Sequence, residues 1–292
     1  MRLCSFRHKG SDDVGIWTPE EIVPLGVINA VSGARFGPTL LDVITGGELD
    51  GLRGMLSDPR VLRSAISPSL ISYNPPYRNP PKLWGIGLNF AGHAGDLAVE
   101  QPTEGPGSYF RPNTTMIGDG DEILLPHQSG RVTAEAELGV IIGSACKNVP
   151  RDDAGAVIFG YTTILDMTAE DLIRVNPRYI PRAKSFDTFC SVGPWVVTPD
   201  EVPDLSSLRI STVVNGTTIA TNEVSAMMYD PYWLISFYSQ VMTFEPGDII
   251  STGTPGAGVI QNGDVVEAHI PGVGQLRNRV RRALTVVAGA TS

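Results

Sequence analysis

The sequence predicts a β-rich α+β fold with a few short helices, preceded by a small N-terminal region. Three observations predict it. Apolar runs of strand length, rich in valine, isoleucine and threonine, recur between Gly, Pro and Asp turns. Helical signals are confined to short stretches. A proline cluster separates about the first 75 residues from the rest.

Taken in order, "LCSFR" and "VGIW" read as short strands, followed by a mixed segment ending in "SDPRVLRSAI". "YNPPYRNPPKLW", Tyr73 to Trp84, holds four prolines and excludes both a helix and a central strand. It reads as the connection between a small N-terminal region, 1–75, and a main domain, 76–292. Beyond it the strand-like runs are "LWGIGLNF", "ELGVIIGSA", "AVIFGYTTILD", "GPWVVTP", "LRISTVVNG", "DIISTGTP" and "DVVEAHI". "DDAGAVIF" opens as a short helix. "DPYWLISFYSQVMTF" has a helical apolar face after an Asp-Pro start.

With 292 residues, 42% hydrophobic and 18% charged, the chain has the composition of a soluble globular protein whose core needs no disulfides. Cys4, Cys146 and Cys190 show no metal-ligand or redox spacing, so free thiols in a reducing, cytoplasmic setting are expected. "MRLCSFRHKG" lacks the apolar stretch of a signal peptide, and no run reaches the length of a membrane span. A net charge of -9 without a basic stripe argues against nucleic-acid binding. It does not exclude a small anionic substrate, because a bound divalent cation would dominate the local field.

Two constellations carry chemistry. In "VTAEAELGVIIG", Glu135 and Glu137 are two apart on a strand and share a face. Solvent exposure of a strand end is one explanation; a hard, oxygen-preferring cation is the other. The second needs a third carboxylate, and Asp166, directly after "TTIL", stands at what reads as a neighbouring strand end. As a lone residue Asp166 reads equally as a helix cap. In "GLNFAGHAGDLAVE", His93 and Asp96 stand three apart. They read as a surface pair, or as an aspartate fixing the tautomer of a basic imidazole. The loop after His93 reads as a lid. Lys184 in "RAKSFDTFCSVGPWVV" is surface decoration or a cation near a metal site, and "STGTPGAG" is a turn able to face anionic oxygens.

The order and spacing of "GLNFAGHAGD", "YFRPNTT", "EAELGVIIG", "GYTTILDMTAED", "AKSFDTFCSVGPWVVTPDE", "PGDIISTGTPGAG" and "GDVVEAHIPGVGQLRNRV" resemble the fumarylacetoacetate hydrolase family, from about Lys82 to Arg282. The layout is similar to that of bacterial acylpyruvase and 2-oxohepta-3-ene-dioate isomerase members. The resemblance implies mixed, rolled β-sheets and a homodimer. It implies Mg²⁺ or Mn²⁺ on Glu135, Glu137 and Asp166; catalytic roles for His93, Asp96 and Lys184; and substrate contacts from Phe110, Arg111, Gly253 and Thr254. Asp96 stands where the family usually has glutamate, and Arg111 where it usually has lysine. The implied activity is hydrolysis of a carbon–carbon bond in a 1,3-dicarbonyl or acylpyruvate-type compound, by His-activated water and a metal-stabilised enolate. Sister activities on the same scaffold are β-keto acid decarboxylation and enoate hydration or isomerisation; a non-catalytic relative is the third alternative. Leu165, Glu170 and Ile173 replace the family's asparagine, arginine and glutamine around the third ligand. A larger or less acidic substrate than oxaloacetate is therefore expected. Arg174 next door offers a compensating cation, although a one-residue shift points it elsewhere on either a strand or a helix.

Overall fold

The computed structural model describes residues 1–92 and 104–283. Its strands are β1 (Arg2–His8), β2 (Ser11–Trp17), β3 (Ile22–Pro24), β4 (Ser72–Tyr73), β5 (Leu83–Gly87), β6 (Gly107–Phe110), β7 (Met116–Ile117), β8 (Glu122–Leu125) and β9 (Val132–Ile142). They continue with β10 (Ile158–Ala169), β11 (Cys190–Val197), β12 (Arg209–Val214), β13 (Thr217–Glu223), β14 (Ile249–Ser251), β15 (Ala257–Ile260), β16 (Val265–Ile270) and β17 (Gly274–Arg282). One mixed sheet runs β3-β2-β1-β11-β10-β9-β14-β5-β6, with β15, β4 and β7 pairing off this path. A smaller sheet runs β13-β12-β16-β17-β8. The β-rich architecture of two mixed sheets and few helices is the expected one.

The centre of the large sheet is the β9–β10 pair. All eleven positions of β9 are buried, because both of its faces are covered. Ala134, Ala136, Leu138, Val140 and Ile142 belong to the core shared with Ile210, Val266, Ala268 and Leu276 of the smaller sheet. The small alanines let the second sheet pack closely. Ile141, on the other face, joins a second core with Ile164, Val192 and Ile249 and with Leu40, Val43, Ile44 and Leu52 from the N-terminal helices. The N-terminal residues extend the large sheet: β1 pairs antiparallel with β11, placing Arg2 opposite Val197 and Leu3 opposite Val196.

"DDAGAVIF" divides. Arg151–Val157 forms a 3₁₀ turn, and Ile158 and Phe159 open β10, where their bulk suits a covered strand. Pro231–Val241 is the expected amphipathic helix. The Asp230 side chain accepts from the Trp233 N–H, proline occupies the first turn, and Leu234, Ile235 and Tyr238 are buried. Among the described residues no helix is long and apolar enough to cross a membrane. The three cysteines are free thiols.

Candidate metal centre

Strand register brings the three predicted carboxylates together. Asp166 lies directly opposite Glu135 across the β9–β10 ladder, and Glu137 lies opposite Ile164. Carboxylates directly opposite on one face repel. Here all three are buried, with oxygens within 4.8 Å of one another. Asp166 does not end its strand, as the sequence suggested; β10 continues through Met167, Thr168 and Ala169. Thr168 stays in the ladder because it pairs with Thr133 across β9, and its hydroxyl donates to Glu135 at 3.0 Å.

Two cations answer these anions. Lys184 Nζ stands 3.1 Å from Glu135 Oε2 and 2.8 Å from Asp166 Oδ1. The Arg111 guanidinium, fully buried, donates to Asp166 and to the Lys184 carbonyl. Burial opposes the charge on Lys184, but Asp166 and Glu135 outweigh it and raise its pKa. The Tyr109 hydroxyl donates to Asp166 Oδ2. Burial, then Asp166, pushes that phenol far above its ordinary value, so it remains a proton donor. Glu137 accepts from the Ser251 hydroxyl and from the Gly253 N–H, the latter at 2.8 Å. Gly253 has a φ of 93°, and a Cβ there would lie 2.8 Å from Asn89 Cβ, so only glycine fits.

The charges do not balance. Three carboxylates face two internal cations, which leaves the buried cluster one positive charge short. Burial first, then Asp166 and Glu135, accordingly pushes Glu137 up to about 8. A proton on Glu137, or a further cation that displaces it, removes that deficit. The donor set is oxygen only, which suits a hard divalent ion such as Mg²⁺ or Mn²⁺. Asp166 accepts hydrogen bonds from Arg111 and Tyr109 and forms an ion pair with Lys184. An ionised carboxylate has about four acceptor positions, so one remains for a metal. The residues fit the ion.

The cluster opens on a cavity of about 340 Å³. Glu135, Glu137, Lys184, Tyr109, Thr168 and Thr254 supply its polar wall. Ile86, Leu88, Ile173, Pro177, Ile180 and Ala257 supply an apolar one. Of the expected substrate contacts, Thr254 lines this space, whereas Gly253 serves Glu137. Phe110 turns outward, 51% exposed, with its ring edge-on to Trp84. Tyr109 takes the inward position. Arg111 meets Asp166 in place of a ligand, for the same alternation puts 109 and 111 on one side and 110 on the other. Leu165 is buried in the inter-sheet core, away from the cavity. Arg174 lines the cavity: it is one helical turn after Glu170 on the helix Glu170–Val175, and therefore on the same face. His93 and Asp96 lie outside the described residues, as does most of the expected lid.

Sequence reasoning missed Tyr109 and Ser251. Tyr109 was recoverable, because assigning Arg111 to the site assigns Tyr109 with it. Ser251 immediately precedes the TGTP turn, but nothing local marks its partner.

Comparison with known proteins agrees with this geometry. The family description "Fumarylacetoacetate (FAA) hydrolase C-terminal" matches residues 82–281. The chain is 33% identical over 257 residues to a 2,4-didehydro-3-deoxy-L-rhamnonate hydrolase of a Sphingomonas species, covering 87% of this chain and 84% of that one. It is 36% identical over 269 residues to a mitochondrial oxaloacetate tautomerase of Homo sapiens, covering 89% and 83%. The crystal structure of maleylpyruvate hydrolase from Sphingobium sp. SYK-6, in complex with manganese(II) and pyruvate, superposes with a TM-score of 0.80 at 31% identity, covering 97% of this chain and 100% of that one. A buried acidic triad on this fold, with a match over most of its length, makes this chain a member of the fumarylacetoacetate hydrolase family.

Proposed function

We propose that the protein is a Mg²⁺- or Mn²⁺-dependent hydrolase that cleaves a carbon–carbon bond in a 1,3-dicarbonyl or acylpyruvate-type compound. The observation that carries the reading is the buried carboxylate triad, one positive charge short, at the polar end of a small-molecule-sized cavity. When bound, a divalent ion there supplies positive charge against the substrate oxygens that become anionic as the bond breaks. Lys184 presents its ammonium to the same space, charged and held by Glu135 and Asp166. Tyr109 and Arg111 hold Asp166 in place, while Ser251 and the Gly253 N–H hold Glu137. Thr254 sets one wall near the reacting end. His93, oriented by Asp96, is assigned the removal of a proton from water. The apolar wall suits a substrate whose distal end is larger or less acidic than that of oxaloacetate. Residues 76–292 are assigned as the catalytic domain, since every cavity-lining residue falls there, and 1–75 as a small N-terminal region. A cytoplasmic homodimer acting on a small molecule completes the proposal.

One observation favours a second reading, keto–enol isomerisation: the human relative, similar over most of both chains, is named an oxaloacetate tautomerase. A proton shuttle needs the metal and Lys184 but no attacking water. The test is loss of enolate absorbance from 2,4-dioxo acids and from oxaloacetate, with Mg²⁺, with Mn²⁺ and with chelator. Hydrolysis that stops with chelator and in His93→Ala supports the proposal. Cleavage of none of the dioxo acids, with oxaloacetate turnover intact in His93→Ala, replaces it with the second reading.

A further inference from the structure

Beyond the triad a second charge cluster reaches the cavity wall through Glu170 and Arg174. Glu170 and Arg174 both line the cavity, from one face of the helix that follows β10. The Glu170 carboxylate accepts from Arg131 Nε at 2.6 Å, from Arg174 Nε at 2.9 Å and from Arg174 Nη2. The frame around it is fixed. The Glu170 N–H donates to the Arg131 carbonyl at 3.0 Å, and Asp171 accepts from the Ser129 hydroxyl at 2.6 Å and the Gly130 N–H at 2.8 Å. The Glu170 side chain is 9% exposed, whereas those of Arg131 and Arg174 are 47% and 63% exposed. The anion is the buried hub, and the two cations form its rim.

A guanidinium grips a carboxylate best through a two-nitrogen edge. Glu170 occupies the Nε–Nη2 edge of Arg174 and the Nε of Arg131. A substrate carboxylate arriving at this wall meets Arg174 with that edge already taken, and the Glu170 anion beside it, while Arg131 backs Glu170 from outside the lining. The neighbouring lining residues Ile173, Pro177 and Ile180 offer it no hydrogen bond.

We propose that Glu170 is a specificity-determining residue: it holds Arg131 and Arg174 in an internal ion-pair cluster, and so selects against substrates with a distal carboxylate and for 2,4-dioxo acids with an apolar distal group. The proposal rests on the acylpyruvate reading above. It is tested on the full-length, Mn²⁺-loaded protein with 2,4-dioxo-4-phenylbutanoate and 2,4-dioxoheptanedioate, which differ at the distal end. Glu170→Gln frees both arginines and removes the competing anion, and is expected to raise kcat/KM for the diacid relative to the phenyl substrate roughly tenfold, chiefly through KM. Arg174→Gln leaves the Glu170–Arg131 pair in place and is expected to move the ratio the other way. An unchanged ratio in Glu170→Gln, or equal losses on both substrates, overturns the proposal. If Glu170→Gln does not fold, Arg174→Gln alone decides: a ratio that stays or rises overturns it. If the wild type cleaves neither acid, the acylpyruvate reading fails separately. Glu170 is then judged by the melting-temperature shift each acid gives the Mn²⁺-loaded protein, and a diacid shift no larger in Glu170→Gln than in wild type overturns the assignment.

Discussion

Gly85→Ala tests the support of the metal centre without touching a ligand. Gly85 on β5 is paired directly with Tyr109 on β6, and the Tyr109 ring lies across it. A Cβ at position 85 would stand 2.2 Å from Tyr109 Cζ and 2.5 Å from its hydroxyl oxygen. The ring must then move by more than an ångström, which withdraws the hydroxyl from Asp166. Overpacking a closed site costs roughly 1–3 kcal/mol. Loss of a buried hydrogen bond to a charged group costs roughly 1.5–3 kcal/mol more. Together these, roughly 2.5–6 kcal/mol, lower the melting temperature of a chain this size by roughly 5–24 °C. The assay is thermal unfolding of Gly85→Ala, Tyr109→Ala and the double variant, each with and without Mn²⁺. Once the ring is gone, the added methyl has nothing to strike, so the double variant should be little worse than Tyr109→Ala. Wild-type melting in Gly85→Ala, or full additivity in the double variant, refutes the reasoning.

Titration of Glu137 gives a pH prediction. Its carboxyl is raised from an ordinary 4.5 to about 8 by burial and by its neighbouring carboxylates, so its protonated form stabilises the metal-free fold fully below 4.5 and loses that contribution as pH rises through about 8. Metal binding displaces the proton, so Mn²⁺ affinity should climb by up to about tenfold per pH unit between pH 5 and 8; pH-independent affinity with no proton release in calorimetry refutes this. Lys184→Met strips a buried cation from Glu135 and Asp166 and should cost the metal-free protein roughly 3–5 kcal/mol. Mn²⁺ should raise the melting temperature of that variant more than that of the wild type; an equal or smaller rise shows that Lys184 does not offset the triad's charge.

The fold was legible where a pattern is local. Runs such as "ELGVIIGSA" and "AVIFGYTTILD" are β-branched and bounded by turns, and they became the central strands β9 and β10. The Asp230-Pro231 start announced its helix. What local pattern did not carry was how far β10 runs. Asp166 is polar and follows an apolar stretch, so the strand reads as ending there. It continues because Lys184, Arg111 and Tyr109, distant in the chain, satisfy that carboxylate inside the sheet. A buried charge is tolerated when it is paired, and pairing is a tertiary fact.

Alternation along β6 and into Arg111, the residue that follows it, shows the opposite kind of case, where the sequence held more than was read from it. Phe110 and Arg111 cannot both face one site on a strand. Arg111 carries the charge that the carboxylates need, so its side of the strand is the inner one, and Tyr109 goes inward with it. The same reasoning with a period of four places Arg174 beside Glu170. In both places opposite charges within this chain answer one another. Arginine at 111 brings a fork to Asp166, and glutamate at 170 arrives with arginines at 131 and 174 to hold it. A buried Glu170 without those partners would be an unpaired anion a few kilocalories too costly to keep. The cluster is therefore a self-contained ion-pair group beside the cavity, and substrate preference is the property through which the proposal about Glu170 is tested.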